Sequence, residues 1–162
     1  MPSPALIRRA TANDLPALHA LLQLYYREGD VQHADDEQSL HATLDQPPYG
    51  FFLAEISDAP STIVGCVLSR PLNIPAAAEC KRLFVLPEFR GQNLACRLMD
   101  TLEAAARSAN LRWIYLDSKD NFQAAIALYR RRGYTACPRY NQNPEATIFL
   151  RKYLTAHQTN RT

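Results

Sequence analysis

One stretch constrains this 162-residue chain more than any other. An apolar strand candidate, Ala77 to Leu86, is followed by a sharp turn at Arg90-Gly91 and then by the clearest helix, Gly91 to Ala109. Leu94, Leu98, Met99, Leu102, Ala105 and Ala109 form one stripe along that helix, a face it has to bury. The junction also has chemistry of its own. The first N–H groups of a helix lack intrahelical partners and carry partial positive charge, so a strand-to-helix turn is a ready place for a phosphate. Gly91 and the small Ala95 let the backbone approach closely, and Arg90 adds a full charge. A tight connection carrying a solvated arginine is the other reading of the same residues.

Around this unit the pattern alternates short strands with helices. Ala5 to Arg9 is a strand candidate; Thr11 with Asp14 matches a capping box, and Pro16 fits the first turn of a helix continued by Leu18, Leu21, Leu22 and Tyr25. Asp36 to Leu44 predicts a short second helix. Phe51 to Ile56 and Thr62 to Ser69 are strands, joined by a turn around Ser57 to Ser61. Trp113 to Leu116 is a strand, and Phe122 to Arg132 is a helix stopped by Gly133. Tyr134 to Ala136 and Thr147 to Tyr153 close the series. The order predicts one α/β (α+β) domain over residues 1–156 with a polar tail at 157–162. At about 150 residues per domain and with about 69% of the unfolded surface buried at this mass, a single real core is expected.

Composition removes several function classes. The formal charge is +2, from 18 Lys and Arg against 16 Asp and Glu, too small a surplus to argue for nucleic-acid binding. No run approaches the roughly 18 apolar residues of a membrane span, and no apolar block of signal-peptide length precedes Arg8 and Arg9. The expectation is a soluble cytoplasmic protein without a membrane partner. Cys66, Cys80, Cys96 and Cys137 are widely spaced and form no metal-ligand pattern with His19, His33, His41 and His157, so they read as reduced thiols and no metal is expected.

Two segments carry a family resemblance. Arg90-Gly91-Gln92-Asn93-Leu94-Ala95 resembles motif A of the GNAT N-acetyltransferase superfamily, Q/R-x-x-G-x-G/A, with Asn93 in place of the middle glycine. Asn tolerates a left-handed backbone better than most residues. Ala124 to Tyr134 resembles motif B, N-x-x-A-x-x-L-Y-x-x-x-G-F/Y, at Ala125, Leu128, Tyr129, Gly133 and Tyr134; the usual Asn falls at Phe122, with Asn121 one residue earlier. The order of strands and helices agrees from Phe51 to Tyr153.

The resemblance implies a central twisted, mixed and mostly antiparallel sheet of about seven strands flanked by about four helices. It further implies acetyl-CoA as acetyl donor and a small-molecule primary amine (an amino acid, a polyamine or similar) as acceptor, with direct attack in a ternary complex. Leu83, Phe84 and Val85 would run beside the pantetheine arm. Arg90, Gly91, Gln92, Asn93, Leu94 and Ala95 would hold the diphosphate, with Asn121 as a further contact. Glu79 would be the base that neutralises the amine and Tyr129 the acid that protonates the thiolate; their plainer readings are a carboxylate paired with Lys81 or Arg82 and a core aromatic. Tyr26, Glu28 and Tyr140 would line the acceptor pocket. A homodimer is also compatible with the family. The alternative is a catalytically weak acyl-CoA-binding or sensor module of the same fold.

Overall fold

The computed structural model describes residues 3–58 and 60–156; the polar tail expected at 157–162 lies outside them. The strands are β1 (Ala5–Arg9), β2 (Asp45–Gln46), β3 (Tyr49–Ile56), β4 (Thr62–Pro71), β5 (Ala77–Val85), β6 (Trp113–Ser118), β7 (Thr135–Ala136) and β8 (Ile148–Tyr153). The helices are α1 (Leu15–Glu28), α2 (Glu37–Thr43), α3 (Leu94–Ser108) and α4 (Gln123–Arg131). One mixed sheet runs β1-β3-β4-β5-β6-β8-β7, with the two-residue β2 added beside β3. All pairs are antiparallel except β5–β6, which the α3 crossover makes parallel. Sequence periodicity does not predict β2: two exposed residues carry no pattern.

The central strands read as near-continuous apolar runs because both faces are covered. On β3, Phe52, Ala54 and Ile56 join the core under α3, with Leu98, Met99 and Leu102, while Phe51 and Leu53 join a second core with Leu18, Leu22 and Leu40 of α1 and α2. At the N-terminus, Asp14 accepts from the Thr11 N–H at 2.7 Å and is held by Arg8 at 2.7 and 2.8 Å. These Arg8 bonds outweigh burial and lower the Asp14 pKa to about 2.

Two irregularities create the openings in this sheet. The parallel β5–β6 ladder runs only from Ala77 opposite Trp113 to Cys80 opposite Leu116, whereas β6 stays paired with β8 through Ser118. Beyond Cys80 the two strands diverge. On its other edge β5 contains a bulge: Cys66 faces Phe84 but Leu68 faces Lys81, so Val67 spans both Arg82 and Leu83. Arg82 takes the left-handed conformation there, with φ 59°.

Candidate active site

The divergence of β5 and β6 opens two cavities, which meet at Leu83, Phe122 and Ala125. The larger, about 590 Å³, runs from Leu83–Val85 over the start of α3 to the start of α4. Its volume is in the range of ligand clefts. Helix α3 begins at Leu94, three residues later than the periodicity predicts, because Gly91 and Asn93 both adopt positive φ, 79° and 63°. For an L-residue other than Gly or Asn this conformation costs roughly 1–2 kcal/mol, which accounts for both residue types. A Cβ built at Gly91 would meet no heavy atom within 4 Å, so backbone conformation rather than crowding requires glycine there. The first intrahelical acceptor is used by Arg97, whose N–H bonds Asn93 O at 3.1 Å. No side chain caps the helix. The N–H groups of Leu94, Ala95 and Cys96 are therefore left at the cavity wall as an anion site.

Val85 supplies another backbone donor. Leu86 N–H bonds Val64 O at 2.8 Å, so in the alternating ladder the N–H and C=O of Val85 point to the opposite, open edge of β5. The Val85 carbonyl accepts from Arg90 Nε at 2.9 Å. Arg90 also stacks on Phe84, 5.5 Å from the ring centroid, and pairs with Glu28 at 2.8 Å. Arg90 thus bridges the larger cavity instead of standing free at its end. Glu28, expected with the acceptor, lines this cavity and not the smaller one. Gln92 is exposed beside the turn, and Arg97 turns away to the Ala5 carbonyl at 2.8 Å. Asn121 lines the cavity, with its amide donating to Gly29 O at 3.1 Å. At the position of the usual Asn, Phe122 stacks on Tyr25 at 5.6 Å. A Cβ on Gly29 would fall 2.1 Å from that ring, so glycine is what admits it.

The smaller cavity, about 290 Å³, is walled by side chains. Cys80, Lys81, Arg82 and Leu83 all line it, four consecutive residues that regular alternation would send to opposite faces; the bulge turns them together. Lys81 is buried and meets Asp117 at 2.5 Å and Glu79 at 3.8 Å. Asp117 also accepts from Asn141 and Asn143, at 2.6 and 3.1 Å. Burial pushes the Asp117 carboxyl up, but Lys81 and the two amides outweigh it and hold the group ionised. Glu145 accepts from the Gln32 N–H and from His33, which lowers its pKa to about 2.

Glu79 is 2% exposed and sits behind this wall. Its oxygens accept from Arg70 Nε at 2.7 Å and Asn141 at 3.1 Å, so the pairing residue is chiefly Arg70, with Lys81 more distant and Arg82 not involved. Asn141 bridges Glu79 and Asp117. Tyr129 lines the smaller cavity, packs edge-on against Tyr134 at 5.8 Å, and its hydroxyl has no protein partner among the described residues. Burial pushes its phenol well above 10, so it stays protonated at neutral pH. Tyr26 does not border either cavity. Its hydroxyl bonds Asp35 at 2.9 Å, and Asp35 in turn holds Arg82 at 2.9 Å, which makes Tyr26 a support for the wall. Tyr140 packs edge-on against Tyr115 and Phe149 with its hydroxyl buried and unpartnered. Burial, then the Glu79 and Asp117 charges, push its phenol up. Cys80 is buried with its thiol raised by burial, as expected of a structural cysteine.

Sequence reasoning did not single out Arg70, Asp117 or Glu145. The one available signal was Lys81, a lysine inside an apolar strand that must find a counterion once buried. No group of three or more His, Cys, Asp or Glu able to hold a metal occurs among the described residues. None of their helices is long and apolar enough to cross a membrane.

Residues 15–134 match the family model of the acetyltransferase (GNAT) family. The chain is 31% identical over 135 residues to an uncharacterized N-acetyltransferase of Schizosaccharomyces pombe, covering 81% of this chain and 82% of that protein. It is 30% identical over 135 residues to the IAA acetyltransferase of Azospirillum brasilense, covering 83% and 86%. A crystal structure of a GNAT-family acetyltransferase from Staphylococcus aureus superimposes with a TM-score of 0.79 at 19% identity, covering 93% of this chain and 99% of that one.

Proposed function

The chain belongs to the GNAT family of acetyltransferases and is itself an acetyltransferase; from that premise we propose that it carries the acetyl group of acetyl-CoA to the primary amine of a small molecule, by direct attack in a ternary complex. The observation that carries the proposal is the meeting of the two cavities at Leu83, Phe122 and Ala125. One cavity ends in unpaired helix N–H groups suited to a diphosphate. The other is small and polar and contains Tyr129. The left-handed Gly91 and Asn93, with open space at the Gly91 Cβ position, fit a diphosphate lying against the backbone.

The thioester, when bound, supplies an activated acetyl group. The protein's own part is positional and protonic. The N–H groups of Leu94, Ala95 and Cys96 bind the diphosphate, Leu83 and Phe84 flank the pantetheine arm, and Arg90, Gly91, Gln92, Asn93 and Asn121 form the rim. Val85 N–H donates to the thioester carbonyl oxygen, where negative charge develops. Tyr129, held protonated by burial, donates its O–H to the departing sulfur, and the proton shed by the attacking nitrogen balances the one the thiolate takes up, so no buried phenolate is left.

An alkylamine is protonated at neutral pH, with a pKa near 10, and has to lose a proton before attack. Glu79 is the proposed base. It lies behind Arg70 and Asn141, so the proton reaches it through water and not by contact, with Asp117 closer to the acceptor. Glu28 and Tyr26 act at a distance from the acceptor: Glu28 through Arg90, Tyr26 through Asp35 and Arg82. Tyr140 stands next to the Glu79 carboxylate.

The test combines acetyl-CoA calorimetry with thiol release over a panel of small amines and N-terminal peptides. Binding together with release for small amines is expected. Release with peptides alone would move the acceptor to proteins, and no acetyl-CoA binding would contradict the proposal.

A further inference from the structure

The charged groups lining the smaller cavity are unevenly used. Four cations, Arg70, Lys81, Arg82 and Lys119, face two carboxylates, Asp117 and Glu145. Each oxygen of those two carboxylates already has a donor. Asp117 Oδ1 is taken by Lys81 and Oδ2 by Asn141 and Asn143. Glu145 Oε1 is taken by the Gln32 N–H and Oε2 by His33. The donors are not matched in return. Arg70 uses only Nε, on Glu79, and Arg82 uses Nε on Asp35 and makes a long 3.4 Å contact from Nη2 to the His33 carbonyl. Both terminal nitrogens of Arg70, and Nη1 of Arg82, have no partner among the described residues.

Arg70 is 40% exposed and Arg82 15%, so their unpartnered donors are open to an incoming ligand; they fit an acceptor-rich planar anion, and the paired nitrogens at the end of Arg70 match the spacing of a carboxylate. We infer that the acceptor carries a carboxylate beside its amine, and that Arg70, with Arg82, determines this specificity. This rests on the small-amine reading of the same cavity and narrows it. A polyamine brings more positive charge to a wall with no free carboxylate, and a simple alkylamine leaves the guanidinium nitrogens without a partner. The volume, about 290 Å³, suits a compound of amino-acid size. The two arginines have separate anchors. Glu79 fixes Arg70 from behind, and the Tyr26–Asp35 pair fixes Arg82. Each guanidinium is therefore oriented before an acceptor arrives, which lowers the ordering cost of recognition.

The experiment measures thiol release with matched sets: proteinogenic α-amino acids, their amides, and the amines left after decarboxylation. The expected result is a best acceptor that keeps its carboxylate and exceeds its amide and amine by about 10-fold or more in kcat/KM. Arg70→Gln removes that preference, mainly through KM. Arg70→Lys, which leaves a cation beside the buried Glu79, lowers it while the melting temperature holds. A best acceptor without a carboxylate, or a preference that survives both variants, overturns the inference. Calorimetric titration of the CoA-loaded protein with the same amino acids separates this from the transfer reaction. Binding that Arg70→Gln abolishes supports the carboxylate site even without turnover, whereas absence of binding to any of them overturns it.

Discussion

The two cavities share three residues but are built from different parts of the chain. The larger takes its anion-binding donors chiefly from backbone, the N–H groups opening α3 and the free edge of β5, with Arg90, Glu28 and Asn121 at its rim. The smaller takes its polar atoms from side chains brought together from residues 33, 70, 81, 82, 117 and 145. A backbone site is fixed by local conformation, and its anion-facing N–H groups survive most side-chain changes nearby. A side-chain site depends on a chain of ion pairs, in which Arg70 holds Glu79, Glu79 meets Lys81 and Lys81 holds Asp117. The buried Glu103 shows what such a cluster does without a ligand. It is 2% exposed, and Tyr134, Arg132 and Lys152 bond it at 2.9, 3.1 and 3.0 Å, joining α3, the end of α4 and β8 without opening onto either cavity. Around Glu103 the cations point inward to one carboxylate. Around Glu79, Arg70 spends one nitrogen inward and keeps two for the cavity.

Substitutions at five positions break or sharpen this contrast. The largest effect is expected for Tyr129→Phe, which removes the proposed acid and leaves the edge-on packing with Tyr134. We predict a fall in kcat of about 10²-fold or more, the scale of general acid catalysis, with acetyl-CoA affinity within about two-fold in calorimetry. Because burial holds the phenol protonated well above 10, the loss should be the same at pH 7 and pH 9. A variant with unchanged kcat would take the acid role from Tyr129.

Glu79→Gln should follow, with kcat/KM reduced about 10²-fold near pH 7 and distinctly less near pH 9. The sign comes from the acceptor: at higher pH more amine is already neutral and less depends on a base. Pre-steady-state thiol release at the two pH values reads this directly, and an equal loss at both would argue for a purely structural carboxylate. Asp117→Asn is the companion measurement. If the pH-dependent loss appears there instead, the proton goes to Asp117.

Asn93→Val tests the backbone site, because a β-branched residue resists the left-handed conformation that Asn93 adopts. A strain of roughly 1–2 kcal/mol corresponds to an acetyl-CoA affinity about 5- to 30-fold weaker by calorimetry. Asn93→Gly should bind at least as well as the parent chain. The smallest effect is expected for Glu28→Gln. It releases Arg90 from a half-exposed ion pair, an interaction of small net worth, and should tighten acetyl-CoA binding by about two- to three-fold as that charge becomes available to the phosphates. Weaker binding would show instead that the Arg90–Glu28 bridge is part of the bound groove.

The same contrast explains what could be read from the sequence. The strand, the turn and α3 are contiguous, so residues 79 to 109 announce them, including the left-handed conformation at Asn93. Tyr129 follows from its place on α4 beside Ala125 and Leu128. The wall of the smaller cavity has no such local signature. Arg70 looks like the end of β4, Asp117 like the end of β6, and Asn143 and Glu145 like loop polarity. They become a site only because the bulge at Arg82 turns β5 and because β5 and β6 separate after Cys80. Neither event is a property of any short segment. Tyr26 and Glu28, two residues apart on α1, accordingly stand in different places, one behind Arg82 and the other opposite Arg90.

The central claim is that the backbone entering α3 grips the diphosphate of the acetyl donor. An amide-resolved NMR titration with CoA tests it most directly, with pantetheine, which lacks the phosphates, as the control. The account predicts that the N–H signals of Leu94, Ala95 and Cys96 move strongly with CoA and little with pantetheine, while those of the Glu103 cluster stay in place. Shifts confined to other parts of the chain, or equal shifts with both compounds, would contradict it.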